Sequence, residues 1–582
     1  MAGFTGIYGS KSNSDSVRQG AELTVYASHT KVTSLHQDAD LVLYKSFVTF
    51  LESPDSTARI GDVTVWIDGE IYNRSECTTQ HQTFAETLLQ HYQDNTLGEF
   101  LCRLDGIFIV IIYDATTQQV VLISDRYGLK PFYLSVAGNQ LTFAPELKCF
   151  SVFKPFDLKI RKDLMDCFIG LEHLLGTTTW LEGVTLIKPA AIVTYSLGEH
   201  KLTTTQYWSW SQIRRTSLSF DDAAEQIGSL LDVANKKRFF GDYQVGVALS
   251  GGLDSRAIVA AVHDQKPVTY TFGLPNSQDV IVAQRVARMA NVSHTWFDIR
   301  TSDWLSERFS GVWKTDGMLN MYHMHYSHLM NRIREIMAVN LSGFLGDVVL
   351  GGSYMNKKGK VFADRRVDAS LAEFYYGQYA AFSDPDDSFF DIDKVDPYVM
   401  YNRGRRMIGM GAEEANKTIP QRLPFMDTAL MDFAYSLPDD FRIKSKVYDK
   451  ALLQKYPEFY RTIPNAGTRV PIHERSSIVF DAVQAFHRGI DMVKYKLGIA
   501  TSYTDVYNWI KEPVAAKRIG ELLDVDRAIY PNFTSRNFKR EFLDPHVQGK
   551  GNYMKQVMGA LTLEIWLQQL LNRKFIPDNH QS

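Results

Sequence analysis

Two hydrophobic rhythms follow one another along the chain. In the first part, short apolar runs are separated by turn residues: Val63-Thr64-Val65-Trp66-Ile67, Ile107-Phe108-Ile109-Val110-Ile111-Ile112-Tyr113 and Val120-Val121-Leu122-Ile123. Runs of this length, rich in β-branched and aromatic residues, predict strands. Thr83 to Tyr92 has helical spacing and separates the first two. From about residue 218 the rhythm changes. Asp221–Lys237 and Val280–Ala290 read as helices, and Val245–Leu249, Val268–Phe272 and Ala338–Leu341 as strands. Strands alternating with helices predict a parallel sheet. The remainder reads as mostly helical. The change of rhythm places a boundary near Tyr207-Trp208, which gives two regions, 1–207 and 208–582.

The most informative local pattern lies where a predicted strand meets a predicted helix. Val245-Gly246-Val247-Ala248 runs into Leu249-Ser250-Gly251-Gly252-Leu253-Asp254-Ser255, and Ala257 to Val262 continues as a helix. Adjacent glycines let the backbone approach a ligand, and the unpaired amides at a helix start attract an anion. Asp254 beside that anion site would repel phosphate unless a divalent cation lies between them. The local reading is a nucleotide with Mg²⁺. No Gly-Lys-Ser/Thr closes the loop, so it is not the Walker pattern. It resembles the pyrophosphatase-type loop of enzymes that split ATP into AMP and pyrophosphate. In a parallel sheet, ligands lie at the carboxyl ends of the strands, where this loop falls.

Composition narrows the picture. The chain has 582 residues, more than one core supports, with 45% hydrophobic and 22% charged residues, as in soluble globular proteins. A formal net charge of -3 gives no electrostatic case for nucleic acid. No run of about 18 apolar residues predicts a membrane span, and Met1-Ala2-Gly3-Phe4-Thr5-Gly6 does not read as a signal peptide. Cys77, Cys102, Cys149 and Cys167 are scattered, with no C-x-x-C, and read as reduced thiols of a cytoplasmic protein.

Motifs spread over most of the chain resemble those of the asparagine synthetase superfamily. They run in family order through Asp68-Gly69-Glu70-Ile71-Tyr72-Asn73, Leu104-Asp105-Gly106-Ile107-Phe108, Asp125-Arg126-Tyr127-Gly128-Leu129-Lys130 and Ala144-Pro145-Glu146-Leu147-Lys148. The series continues with the loop above, Phe272-Gly273-Leu274-Pro275-Asn276-Ser277-Gln278-Asp279, Leu341-Ser342-Gly343-Phe344-Leu345-Gly346-Asp347 and Leu423-Pro424-Phe425-Met426-Asp427. The resemblance implies an α+β glutaminase-like sandwich of the N-terminal-nucleophile type. An α/β synthetase domain with the pyrophosphatase loop, of the adenine nucleotide alpha-hydrolase-like class, would follow it.

The activity implied is two-step amide formation, in which ATP adenylates a carboxylate and an amine then attacks. By this resemblance Leu249, Phe272, Ser342 and Gly343 hold adenosine, and Ser250, Gly251, Gly252, Leu253, Asp254 and Ser255 cradle pyrophosphate. Asp254 and Asp347 hold Mg²⁺. Lys450, in Tyr448-Asp449-Lys450-Ala451-Leu452, stabilises the adenylate; the alternative is a solvated helix lysine, with Lys444, Lys446 and Lys455 as neighbours.

The chain also departs from the pattern. The glutaminase nucleophile is a cysteine after the initiator Met, and here that residue is Ala2. No thiol there means no attack on a glutamine amide. The arginine-bearing segment is not recognisable between Ser34 and Leu51, and Thr79-Gln80-His81-Gln82 stands where Gly-Ser-Asp is expected. Only Asn73 of the glutamine-binding set remains. The first domain is therefore expected to be inactive as a glutaminase. Phe344 replaces a residue that in several members deprotonates the amine, which phenylalanine cannot do.

Arg256 reads either as a contact to phosphate or substrate carboxylate, or as an exposed helix arginine. His323, His325 and His328 lie where the acceptor pocket is expected. His323 and His325 are candidates for binding a substrate carboxylate or supplying the base, and a structural histidine is the alternative. Helical spacing puts His323 off the face shared by the other two, which is poor geometry for zinc. Tyr503, Tyr507 and Trp509 read as packing between helices.

The expected function is an ATP- and Mg²⁺-dependent ligase joining a small-molecule or peptide carboxylate to an amine. Alternatives are a ring closer of the β-lactam synthetase or lasso-peptide cyclase type, an asparagine synthase fed by ammonia, and an inactive interaction protein. A thiolase acting on tRNA has no C-x-x-C to support it. A homodimer, or a precursor peptide and protease as partners, remain open at this stage.

Overall fold

The computed structural model describes residues 3–9, 14–78, 82–154, 156–300, 303–474 and 503–577, with 480, 483, 485–487 and 489–490. Ala2 and Thr79-Gln80-His81 lie outside the described residues.

The first region is a sandwich of two six-stranded antiparallel sheets. Its elements in chain order are β1 (Phe4–Tyr8), α1 (Ser14–Glu22), β2 (Thr30–Gln37), β3 (Leu41–Val48), β4 (Thr57–Ile60) and β5 (Val63–Ile71). Then come α2 (Phe84–Gln93), α3 (Leu97–Cys102), β6 (Gly106–Asp114), β7 (Gln119–Ser124), β8 (Tyr133–Ala137), β9 (Gln140–Ala144), β10 (Thr185–Leu186), β11 (Ala191–Ser196) and β12 (Lys201–Gln206). The sheet orders are β10-β8-β9-β1-β3-β2 and β12-β11-β7-β6-β5-β4.

The unbroken apolar run of β6 has a direct cause. Ile109, Ile111 and Tyr113 face the other sheet, packing with Phe4, Tyr8, Leu43 and Phe143. Phe108, Val110 and Ile112 face the opposite way, against Phe84 and Leu88 of α2 and Leu101 of α3. A strand covered on both faces cannot alternate with polar residues. The α2 helix starts on a capping box, in which Thr83 Oγ1 accepts the Glu86 N–H and the Glu86 carboxylate accepts the Thr83 N–H.

The second region opens with α4 (Phe220–Arg238) and holds a five-stranded parallel sheet. Its elements are β13 (Val245–Ala248), α5 (Asp254–Val262), β14 (Val268–Phe272), α6 (Gln278–Ala290), β15 (His294–Phe297), β16 (Val339–Leu341) and β17 (Gln421–Arg422), with strand order β15-β14-β13-β16-β17. Helices α7 (Lys446–Lys455) and α8 (Met554–Asn572) belong to the helical remainder. The α5 helix is buried from Ser255 to Val262.

The regions share a core and a charged seam. Phe168 and Trp180 of the first pack in one cluster with Trp313 and Trp566 of the second. Arg238 Nη2 donates to both Asp105 oxygens at 2.8 and 3.0 Å, and Nη1 to Asp427 at 2.8 Å. Lys417 pairs with Glu146 at 3.0 Å, and Lys148 with Asp316 at 2.9 Å. Among the described residues no helix is long and apolar enough to cross a membrane.

Candidate nucleotide site

The β13 strand ends at Ala248, at the centre of the parallel sheet, and delivers the loop from its carboxyl end. The loop is folded on itself. Ser250 N–H donates to Ser255 Oγ at 3.0 Å, the two hydroxyl oxygens lie 3.0 Å apart, and Gly252 N–H donates to Ser250 Oγ at 3.2 Å. Gly251 N–H donates to Asp279 Oδ1 at 3.3 Å, and a Cβ on Gly251 would lie 2.3 Å from that of Ala466.

Asp254 opens α5 and is held from two sides. The Tyr448 hydroxyl, on α7, donates to Oδ1 at 2.9 Å, and the Asp347 N–H donates to Oδ2 at 3.1 Å. The segment from Gly343 to Gly346 presses against this carboxylate. A Cβ at Gly346 would stand 2.5 Å from Asp254 Cγ, and one at Gly343 would stand 3.0 Å from Asp254 Cβ. Only glycine tolerates such an approach. Between them Leu345 takes a left-handed φ of 59°.

Burial and the Asp347 carboxylate together push Asp254 up to about 7. Asp347 itself is exposed. Two neighbouring carboxylates, Asp254 and Asp347, fit a divalent ion that completes its shell with phosphate oxygens and water. Among the described residues no group of three or more His, Cys, Asp and Glu is placed to hold a metal by itself.

Beside the loop is a cleft of about 190 Å³, whose walls include Leu249, Ser250, Thr271, Phe272, Asp279 and Tyr503. Ser342 and Gly343, half-buried, continue from the neighbouring strand β16. The residues expected to hold adenosine and pyrophosphate thus come from adjacent strand ends. Asp279, the last residue of the Phe272–Asp279 motif, lines this cleft although the resemblance assigned it no role, and Tyr503 was missed as a site residue. Tyr503 lies far downstream and was read as packing between helices.

Several candidates stand elsewhere. Arg256 is fully buried, and its guanidinium donates to the carbonyls of Phe459, Ile463 and Pro464 at 3.3, 2.9 and 2.9 Å. It ties the 459–464 segment to α5 and to the glycine loop, donating to Gly251 O at 3.4 Å, and is neither exposed nor a wall of the cleft. His323 Nε2 meets Glu172 at 2.9 Å, which pairs in turn with Lys555 at 2.7 Å, so His323 belongs to the seam between regions. Phe344 is buried and faces the same seam, lining a small closed cavity with Ile107, Leu129 and Arg405. Asn73 donates to Arg103 O and accepts the Asp105 N–H, a loop staple.

His325 lies behind the cleft wall. Its Nδ1 is 2.8 Å from Tyr322 O, which puts the ring proton there, so Nε2 accepts the Tyr503 hydroxyl at 3.0 Å. Burial pushes it down to about 3, so the ring is neutral. Lys450 sits on α7, two residues after Tyr448, with its ammonium 3.2 Å from Asp221. Both side chains are substantially exposed, and such pairs contribute only about 0–1 kcal/mol.

Comparison with known proteins agrees with this geometry. A glutamine amidotransferase domain model matches residues 54–208, and an asparagine synthase model matches residues 226–390. Asparagine synthetase [glutamine-hydrolyzing] 2 of Bacillus subtilis is 24% identical over 452 residues, 68% of this chain and 60% of that protein. The chain thus spans less than two thirds of that relative. The Mus musculus asparagine synthetase [glutamine-hydrolyzing] is 22% identical over 534 residues, 84% of this chain and 83% of the mouse protein. Asparagine synthetase [glutamine-hydrolyzing] 1 of B. subtilis is 21% identical over 600 residues, 89% of this chain and 88% of that one. The glutamine phosphoribosylpyrophosphate amidotransferase of B. subtilis superposes on 50% of the chain with a TM-score of 0.25. A glutamine amidotransferase-type domain followed by an asparagine synthase domain, in one chain and in that order, makes this protein a member of the asparagine synthetase superfamily.

Proposed function

We propose that the chain is an ATP-dependent ligase that activates a carboxylate as its adenylate, releases pyrophosphate and passes the acyl group to an amine, without hydrolysing glutamine. The observation that carries this reading is the Asp254–Asp347 pair, joined by a 3.1 Å hydrogen bond, beside the folded glycine loop and its cleft. Leu249 and Phe272 flank the adenosine, and the Ser250–Ser255 loop faces the leaving pyrophosphate. Asp254 and Asp347 would hold Mg²⁺, which supplies positive charge to the phosphates. Lys450 exchanges Asp221 for a developing oxyanion, a role suited to an ammonium on a flexible stem. The neutral Nε2 of His325 is occupied by Tyr503 and is not free to act as base.

The first domain supports the second half of the proposal. Burial raises all four thiols, Cys167 to about 12, so none is poised as a thiolate. The cleft of the first domain is lined by Lys45, Glu52 and Asp68, of which Lys45 pairs with Glu52 at 2.8 Å and Asp68 with Lys130 at 2.8 Å. With no ammonia made in the first domain, the amine is ammonia from solution, a second amino compound, or an amine of the substrate itself. The missing nucleophile favours the last, a ring-closing form of the reaction.

The test follows oxygen. With an ¹⁸O-labelled carboxylate substrate, adenylation predicts one labelled oxygen in AMP; unlabelled AMP sinks the mechanism. Added glutamine yields no glutamate on this reading, and glutamate formation overturns the claim for the first domain.

A further inference from the structure

We propose that Tyr503 is the face on which a purine base stacks in the nucleotide cleft, and that His325 and Leu274 fix its ring for that task. The proposal rests on the nucleotide reading above and names a binding residue outside the stretch matched by the asparagine synthase model, residues 226–390.

Two hydrogen bonds hold Tyr503 at the cleft. The Leu274 N–H donates to its backbone carbonyl at 3.0 Å. Its hydroxyl donates to His325 Nε2 at 3.0 Å, while His325 is fixed by its other nitrogen on Tyr322 O at 2.8 Å. Gly273 makes room: its φ is +153°, and a Cβ there would lie 3.2 Å from Tyr503 Cβ. A side chain at Gly273 would be strained and would push the tyrosine away. Backbone and ring tip are both anchored, so the ring keeps one orientation against the cavity it lines.

The surroundings select a flat aromatic ligand. Phe272 stands edge-on to Tyr503, with ring centroids 6.1 Å apart at 71°, and the far side of Phe272 is packed on Tyr326 at 4.9 Å and 31°. Leu249, beside them, is buried. The rigid aromatic corner opens on the same cleft as Ser250, where the phosphates are expected. A nucleobase meets such a corner through its π-face, which larger purines exploit better than pyrimidines. His325 is a positioning residue: it touches the tyrosine, not the base.

The experiment measures Mg²⁺-dependent binding of ATP and of CTP to the full-length chain by calorimetry, with thermal unfolding as a control. Tyr503→Ala is expected to weaken ATP binding about 5- to 100-fold, the range that one lost base stack accounts for, and to narrow the preference for ATP over CTP. Tyr503→Phe keeps the ring but loses the His325 bond, and is expected to bind ATP more weakly than the parent and more tightly than Tyr503→Ala. A Tyr503→Ala protein that binds ATP as the parent does overturns the inference. Equal loss of ATP and CTP binding, unrescued by Tyr503→Phe, also overturns it and leaves Tyr503 a structural residue. A parent chain that binds no ATP overturns the nucleotide reading itself.

Discussion

Arg422 on the edge strand β17 grips both carboxylate oxygens of Glu70 at 2.6 to 3.2 Å, and so joins the parallel sheet to the sandwich. The same guanidinium donates to the carbonyls of Arg238 and Phe240 at 2.8 and 2.7 Å. Glu70 belongs to Asp68-Gly69-Glu70, one of the motifs that carried the family resemblance. Asp105, Arg126 and Glu146, from three further motifs, also cross the seam, to Arg238, to Asp432 and to Lys417. These motif residues act in docking the two regions on one another.

Removing one partner of a buried pair leaves the other uncompensated. Arg422 is fully buried and Glu70 nearly so. Glu70→Ala is expected to destabilise the protein by about 3–5 kcal/mol. Asp440→Ala, which frees the exposed Lys446, should cost under about 1 kcal/mol. Urea unfolding of the two variants checks this; equal midpoints would show that the seam is not a structural joint.

Gly346→Ala tests the packing of the two carboxylates proposed to hold Mg²⁺. The added methyl would meet Asp254 Cγ at 2.5 Å, so the carboxylate or the turn carrying Asp347 must move. Pyrophosphate release is expected to fall by at least about 100-fold, since displacement of charged groups at a reacting centre by about 1 Å costs that much. Circular dichroism should show the fold retained. Activity near the parent's would mean that Asp254 and Asp347 need not stand together.

The Asp254 carboxyl also predicts a pH dependence. Its folded value, raised to about 7 by burial and Asp347, lies above the unfolded value of about 4. The proton is therefore held more tightly in the folded, metal-free protein. The stability it contributes is present below about pH 4 and is lost as pH rises through 7. In EDTA, the parent should lose more stability between pH 5 and pH 8 than Asp254→Asn does. Mg²⁺ affinity should rise over the upper part of that window and level off above it. Parallel stability curves for the two proteins would remove the carboxylate from this role.

Among the described residues Lys450 pairs with the exposed Asp221, and the two can part at little cost. Lys450→Ala is expected to lower pyrophosphate release by at least about 100-fold through loss of oxyanion stabilisation, with little change in melting temperature. Asp221→Ala should leave the rate near the parent's. If Lys450→Ala is as active as the parent, the catalytic cation lies elsewhere on the chain.

Much of the architecture was legible in the pattern of apolar residues. The runs at Val63, Ile107 and Val120 became the central strands of one sheet, and the change of rhythm near residue 218 marked the parallel sheet. Most of the shorter strands of the sandwich were not read from the sequence, and two strands of the parallel sheet went unseen for physical reasons. His294–Phe297 is short and half-polar, and Gln421–Arg422 is held in its sheet by an arginine whose charge is met by Glu70.

Arg256 carried a signal that was overlooked. It precedes the apolar stretch Ala257–Val262, the mark of a helix buried all round, and an arginine on such a helix must find buried acceptors. The histidine cluster misled because its residues do not share a helix. Met321–His323 and Ser327–Leu329 form separate short turns, and each histidine meets a different partner. Tyr503 reaches the cleft through a tertiary contact at Gly273 that no local period encodes.

ATP–pyrophosphate exchange with Mg²⁺, across a panel of amino acids, small acids and acidic peptides, tests the central claim most directly. The account predicts exchange that depends on one carboxylate class in the parent chain and disappears in Asp254→Asn. Exchange that persists undiminished in Asp254→Asn, or its absence with every carboxylate while ATP binds, would contradict it.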